Sequence, residues 1–503
     1  MPRSSSIRPL RTALAVCASA AALAGCATVG PNFKSPAAPA TDTYAQTGDA
    51  ADVGPVQTAV GAKVVADWWT LFHSPQLDAL VREAIANNPT LDQARARLQS
   101  AREAVQAQTG LAMADVSGGY KYERANLNAF SGGAFSSSTS TGGISFPTNP
   151  VYSLYSIGGT VSYNLDLFGQ VRRRKEALQA DAEAKARELD AAYLTLTGQV
   201  VTQVLTIADA SIQANALKDI VANDQTDLDM VRKARAAGGA SASDVSTIET
   251  ELAEDAAAVP AQEQRLAAAR HQIAILLGKT PSQFSPPDFD ASSGAMPDML
   301  PVSLPSELVR GRPDILEAEA QLHAATARIG VATAALYPNI TLSAALNQDA
   351  LTPSQMFQPI SNSWALGPAV TAPIFHSGEL HAEKRQAEAD ARAALAAYQQ
   401  TVLAAFAQVD DALQAIAHDN AAYAQQSRAL EAATSKLEMM RRGYRAGGVS
   451  SLQLVDAERS WRRTRLALSQ QGTGRYGDAA RLLMATATVP PGVAEAKPVK
   501  PAP

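Results

Sequence analysis

Cysteine is almost absent: the 503 residues hold two, Cys17 and Cys26. No disulfide framework can rest on so few, so the fold must hold without staples. Aromatic residues are sparse at 5%, and beside abundant alanine this favours close helix–helix packing over a thick globular core. The six histidines are scattered, with no HExxH and no pair at metal-ligand spacing. "LLGKTP" mimics the end of a phosphate loop, but the position of its first glycine is Ile273, and Pro281 follows at once. No Gly-x-Ser-x-Gly elbow occurs. The sequence thus offers no enzyme motif, and neither catalytic residues nor a metal or other cofactor is expected. Excess basic charge is lacking too: the formal charge is −5, which argues against a nucleic-acid partner. After Cys26 no run reads as long and apolar enough for a transmembrane helix. A membrane crossing therefore falls to strands.

The N-terminus has the grammar of a removable segment. Arg3, Arg8 and Arg11 precede the short apolar run "TALAVCASAAAL" and then "LAGC", ending at Cys26. A basic stretch, an apolar stretch and small residues before the cut describe a secretory signal over 1–25. Leu23-Ala24-Gly25-Cys26 resembles a bacterial lipobox, in which the cysteine sulfur carries a diacylglycerol and the new N-terminus an acyl chain such as palmitate. Cleavage takes Cys17 away and leaves Cys26 alone. It also removes three arginines and no acids, for a charge of about −8. Ala27 follows the cysteine rather than Asp, which in lipoprotein sorting implies transfer to the outer membrane.

What is present in place of a long apolar run is alternation. In "YSIGGTVSYNLDLF", Tyr155, Ile157, Val161, Tyr163 and Leu165 fall on one side and Ser156, Thr160, Ser162, Asn164 and Asp166 on the other. One greasy and one wet face, with aromatics near the ends of the row, suits a strand between lipid and a watery lumen. The same reading predicts strands over Asp115–Asn128, Tyr155–Phe168, Asn339–Leu346 and Ser363–Phe375, with "SGGAFSSSTSTGGISFPTNP" as an extracellular loop.

The chain also says everything twice. "NPTLDQARARLQSAR" matches "RPDILEAEAQLHAAT" at an offset of about 224, Phe168 matches Phe375, and "VRKARAAGGASASDVSTIETEL" matches "MRRGYRAGGVSSLQLVDAERSW". Each half opens with a helix at Pro89 or Pro313, passes through two strands, and enters a very long helix. These helices run from about Gln170 to Ala237 and from about Glu379 to Ala446. About 68 residues make a rod of roughly 100 Å. Leu395, Tyr398, Val402, Ala405, Val409, Ala412 and Ile416 form a heptad seam, with Phe406 and Leu413 starting a second stripe. A Gly-Gly turn then reverses the chain into a return helix. The expected divisions are 1–25 signal, 26–75 lipid anchor and N-terminal equatorial segment, 76–279 first repeat, 280–305 equatorial linker, 306–486 second repeat and 487–503 disordered tail. Four strands cannot close a barrel, and an open sheet edge cannot face lipid. Three chains supply about twelve strands, an allowed size. The expected fold is therefore a homotrimer, mixed α and β, sharing one β-barrel continued by an α-helical coiled-coil tube.

"CATVGPNFKSP", "DWWTLFHSPQLDALVREAIANNPTL", "NLDLFGQVRRR", "LPSELVRGRPDILEAEAQL", "ALYPNITLSAAL", "PIFHSGEL" and "AFAQVDDALQAI" follow one another in an order that resembles the outer membrane factor family of TolC/OprM type, in its lipoprotein branch. The resemblance implies an outer membrane barrel, a tunnel through the periplasm, an equatorial belt, docking on a periplasmic adaptor and, behind it, an inner-membrane pump of the RND type. It implies a passive duct for small toxic compounds or drugs. Two other readings stay open: the duct of a type I protein secretion system, and a structural coiled-coil envelope lipoprotein.

Two groups of residues are candidate sites. Asp410 and Asp411 interrupt the seam in "AQVDDALQAI", where adjacent aspartates are poor helix formers; three lumen-facing copies would make a carboxylate ring gating the periplasmic end. Leu205 and Thr206 are their expected first-half counterparts. The helical turns Gly238-Gly239-Ser241 and Gly447-Gly448-Ser450 mark rod tips that an adaptor would reach. Arg232, Lys233, Arg235, Arg441, Arg442 and Arg445 would collar them with positive charge.

Overall fold

Proline and a polar cap start the first helices. Ser74 accepts from the Leu77 amide at the head of α1 (Pro75–Asn87). Asn88 then separates it from α2 (Pro89–Leu111), accepting from Thr90 N and donating from its side chain to Leu276 O at 2.8 Å. The computed structural model describes residues 28–37, 44, 57–61, 64, 66–126, 151–284, 299–302 and 305–489. The expected signal 1–25, Cys26, the loop 131–150, most of the linker 280–305 and most of the tail 487–503 lie outside the described residues.

Chain order runs β1 (Gln57–Val60), α1, α2, β2 (Asp115–Asn126), β3 (Val151–Asn164), α3 (Gln170–Ala236), α4 (Ala242–Leu276), β4 (Met299–Val302), α5 (Pro305–Gly311), α6 (Pro313–Ala334), β5 (Asn339–Ala350), β6 (Asn362–Thr371), α7 (Glu379–Arg445) and α8 (Ser451–Thr486). Helix, two strands, long helix and return helix thus occur twice. α3 and α7 are each 67 residues. Their starts, Gln170 and Glu379, set the counterparts of Asp410 and Asp411 at Val201 and Thr202, not Leu205 and Thr206.

The four long strands form one antiparallel sheet in the order β2-β3-β5-β6. Direct partners such as Val116, Val161, Ala344 and Leu366 share a face across all four strands. That face is apolar and open: Trp364, Leu366, Val370, Leu346 and Tyr120 are all exposed. β5 runs past the expected Leu346 because Gln348 and Ala350 still pair with neighbours, which needs backbone and not apolar side chains. β6 stops at Thr371, two residues before Pro373, which has no amide to donate. β2 ends at Asn126, and β3 spans Val151–Asn164 rather than Tyr155–Phe168.

The chain divides into two compact units, residues 1–34, 100–182 and 321–395, and residues 35–99, 183–320 and 396–503. The first holds the four-stranded sheet. In the second, β1 and β4 pair in parallel, and Trp68, Trp69, Phe72, Val200, Ile207, Ile273, Val409 and Leu482 join one apolar core. The seam from Tyr398 to Ile416 is buried as its spacing predicts, whereas Leu395 is exposed. One window of α3 does prove apolar enough to cross a membrane by length and composition, against the expectation of none. Over half of it is buried inside the protein, as suits a core stretch.

Candidate functional site

Both long helices end in the same turn. Gly238 and Gly447 take the left-handed conformation at φ 78° and 74°. Gly239 N donates to Ala234 O and Gly238 N to Arg235 O; Gly448 N donates to Gly443 O and Gly447 N to Tyr444 O. This is a Schellman motif made twice. Ser241 and Ser450 then open the return helices with capping boxes, reciprocated by Asp244 and Gln453. The turns leave Gly238, Gly239 and Ser241, and Gly447, Gly448 and Ser450, exposed at the hairpin ends. The basic collar is thinner than the sequence suggests. Arg232 is bonded across its hairpin to Glu249 at 2.7 Å and Arg441 to Glu458 at 3.0 Å. Lys233, Arg235, Arg442 and Arg445 remain exposed.

Behind the turns lies a knot of charge that sequence reading missed. Arg459 on α8 meets Asp224 of α3 and Glu251 and Asp255 of α4. One turn on, Arg462 meets Asp227 at 3.1 Å, Asp224 at 3.4 Å and Glu458 at 3.2 Å. The Asp224 side chain is 1% exposed and that of Arg459 8%. The knot therefore ties the second hairpin to the first in a largely water-free seam. Burial pushes the Asp224 carboxyl up to about 6, with Arg459 pulling it back and Asp255 adding to the rise. Burial raises Asp227 as well, and lowers Arg459. Asp478 is likewise pushed up to about 6 by burial and by a hydrogen bond with Asp419.

An acid whose folded value exceeds its unfolded value keeps its proton longer in the folded chain. Stability therefore falls as pH rises between about 4 and 6, and all three acids act in that sense. The solubilised protein is expected to melt at a higher temperature near about pH 5 than near about pH 7, and Asp224→Asn to flatten that slope. Melting curves that keep the full slope in D224N would assign it to other groups.

Asp410 and Asp411 do not reach the hairpin end. Asp411 stands about 34 residues, roughly 50 Å of helix, before Arg445. It is exposed and lines a cavity of about 490 Å³ with Arg312, Asp314, Gln408, Arg481 and Met484. This is where the far end of α8 meets the start of α6: Arg312 bonds Asp314 at 2.9 Å and Ala485 O at 3.2 Å. Asp410 is half-buried beside it. The pair thus stands mid-helix, well before the hairpin end.

At the sheet end, residues 28–37 lie as a strap beside the start of α3. Val29 N donates to Phe168 O at 3.2 Å. Arg173, whose side chain is 4% exposed, donates to Val29 O, Gly30 O and Asn32 Oδ1, and pairs with Glu176 at 2.7 Å. Glu176 reaches His323, and the His323 ring stacks on Phe33 of the strap at 4.4 Å. The loop of contacts closes on itself.

A sheet with an exposed apolar face, joined to paired 67-residue helices, defines a membrane channel protein. The outer membrane efflux protein family matches residues 80–279 and 304–488, and the chain belongs to it. Relatives include the probable outer membrane lipoprotein SilC of Salmonella typhimurium, 28% identical over 87% of this chain and 90% of its own length. The pyoverdine export outer membrane protein OpmQ of Pseudomonas putida is 31% identical over 82% of this chain and 87% of its own. Among solved structures, the outer-membrane channel OprN superposes with a TM-score of 0.81 at 28% identity, covering 92% of this chain and 99% of that one. The protein is an outer membrane channel of an efflux system.

Proposed function

We propose that three copies share one barrel and form the passive exit duct of a tripartite pump, receiving small toxic compounds from a periplasmic adaptor and an inner-membrane pump of the RND type. The observation that carries it is the sheet itself: four strands, apolar on one face, with both outer edges unpaired among the described residues. Lipid tolerates that face and not those edges. The two exposed Gly-Gly-x-Ser turns are the adaptor-docking ends. Ser241 and Ser450 shape them and the remaining basic side chains flank them. Selection of cargo belongs to the pump, because no described cavity gathers a set of side chains suited to one ligand class.

The test is the mass of the mature protein in detergent, by light scattering corrected for bound detergent. A trimer with single-channel conductance supports the duct; a non-conducting monomer removes it and promotes the structural lipoprotein. Cys26 carries the diacylglycerol and an N-acyl chain in this reading. Cys26→Ala should abolish incorporation of labelled palmitate, and label retained in C26A would place the acylation elsewhere.

A further inference from the structure

β5 follows α6 and β6 leads into α7, so the turn between them lies at the end of the sheet farthest from the helices. The β5–β6 ladder stops at Gln348 opposite Asn362. In a membrane wall that end is the extracellular rim. Residues 351–361 read LTPSQMFQPIS, with no charged side chain among them. The turn is built rather than slack. Pro353 and Pro359 each open a short 3-10 turn, their rings presetting φ. Met356 N donates to Pro353 O, Gln358 N to Gln355 O and Ser361 N to Gln358 O. Ser361 Oγ then closes on Gln355 O at 2.8 Å, and Met356 is packed inside at 8% exposure.

This ordered turn holds up Phe357, 80% exposed, and Ile360, 86% exposed, and Leu351 is open as well. Ordering the backbone costs entropy, and water returns nothing for apolar side chains left standing in it. A single exposed Phe or Ile needs no explanation. A rigid, uncharged turn that presents several, next to an apolar membrane face, calls for an apolar partner.

The direction in which the turn leans decides what meets those side chains. Ala350 lies on the apolar face, through its partner Tyr155 and that residue's partner Tyr122. Ala350 is 4% exposed, and the amide oxygen of Gln348 on the same side is closed off from solvent. On the wet side Asp349 is exposed and accepts from Ser363 Oγ at 3.0 Å. The cover therefore lies on the apolar side, and the turn leans away from the lumen. Continuing the register two residues past Gln348 and Asn362 sets Ile360 opposite Ala350, on the side of Trp364 and Leu366.

We propose that the β5–β6 turn is a lipid-interface anchor, lying over the outer leaflet with Phe357 and Ile360 inserted among its acyl chains. This rests on reading the sheet as the membrane wall, and it assigns a partner to a segment beyond that wall. With no lysine or arginine in residues 351–361, the turn has no cation to offer a phosphate headgroup, so its contact is with hydrocarbon. Trp364 and the paired rings of Tyr122 and Tyr155, 4.9 Å apart, mark the same end of the apolar band with aromatics. Phe357 and Ile360 extend that row outward instead of starting a separate patch. The mouth of the duct is left clear of this turn. Each protomer also gains a wedge at the rim that resists tilting and sliding of the barrel.

The test is spin labelling of the full-length protein in vesicles of phosphatidylcholine and phosphatidylglycerol. Collision of each label with oxygen, which concentrates in acyl chains, is compared with collision with a water-soluble nickel chelate. Labels at Phe357→Cys and Ile360→Cys should give an oxygen-to-nickel ratio at least about fivefold above that at Asp349→Cys, and close to that at Leu366→Cys in the apolar band. Phe357 and Ile360 are so exposed that neither substitution removes a packed side chain. The unsubstituted chain, treated alike, sets the background from Cys26. Ratios at Phe357 and Ile360 that match Asp349, while Leu366 stays oxygen-favoured, overturn the anchor and leave the membrane wall standing. Shielding of both labels from both reagents places the turn against protein and overturns the anchor too. A Leu366 label that behaves as in water overturns the wall and the anchor together.

Discussion

Removing the Arg459 side chain is expected to cost about 3–5 kcal/mol, the usual penalty for breaking a buried ion pair and leaving its partner charged. Asp224 is the partner that suffers, since its carboxyl is 1% exposed and keeps only Arg462 when Arg459 is gone. Its pKa already stands at about 6 and would climb further, so protonation caps the loss at low pH. The melting temperature of Arg459→Ala should therefore drop more at about pH 8 than at about pH 5. Replacing both Asp224 and Arg459 by apolar residues of similar volume should restore much of the loss, because a buried pair is costly mainly when broken. By contrast, Arg232→Ala breaks an exposed pair with Glu249, half-open on both sides, and should cost less than about 1 kcal/mol. Reconstituted Arg459→Ala is also expected to show a larger resting conductance, since the knot holds the α7–α8 hairpin against α3 and α4. Melting unchanged at either pH would mean the seam is wet and the charges are solvated.

The knot also marks where sequence reading stops. The long helices were legible almost to the residue, because Gly238 and Gly447 punctuate their ends and the 3-4 spacing from Tyr398 to Ile416 fixes a buried face. The strands were legible as alternation, and their ends were not, because β5 and β6 end where backbone pairing ends. The Arg459 cluster gathers residues over 200 positions apart on three helices. On its own helix each looks like an ordinary solvated charge, with no local period to betray it. The aspartate pair shows the opposite limit. Asp410-Asp411 is locally conspicuous, and local anomaly says nothing about height along a rod of roughly 100 Å. The packing of Arg312 against Ala485 O and Gln408 shows what surrounds it there. Counting along α7 gives that height, since Gly447 lies 36 residues beyond Asp411.

Gly30→Val is expected to unseat the N-terminal strap while leaving the sheet and both hairpins folded. Gly30 sits at φ 90°, and a Cβ there would lie 2.5 Å from the Gly330 Cα, a backbone atom with no rotamer to relieve the clash. Gly330 faces the same limit from the other side, where a Cβ would meet the Arg173 side chain at 2.8 Å. Two glycines about 300 residues apart in sequence thus bring strap, α3 and α6 within van der Waals reach. No sequence pattern announces that, although "VGPNF" lies in plain view. Arg173→Ala attacks the same clasp by chemistry rather than volume, removing the donor to Val29 O, Gly30 O and Asn32 Oδ1 and leaving Glu176 with His323. Both variants should speed tryptic cleavage after Lys34 by at least about tenfold, the kinetic equivalent of about 1.4 kcal/mol in opening free energy. Melting of the helical body should change much less. The consequence for function follows from where the strap leads. In the lipoprotein reading proposed above, the chain upstream of the strap carries the acylated cysteine, and a held strap would fix how far the body stands from that anchor. Freed of the clasp, the lipid would still anchor the chain but no longer set the depth of the body it is tied to. Equal cleavage at Lys34 in wild type, Gly30→Val and Arg173→Ala would show that the strap is loose to begin with, and that the sheet alone sets the depth.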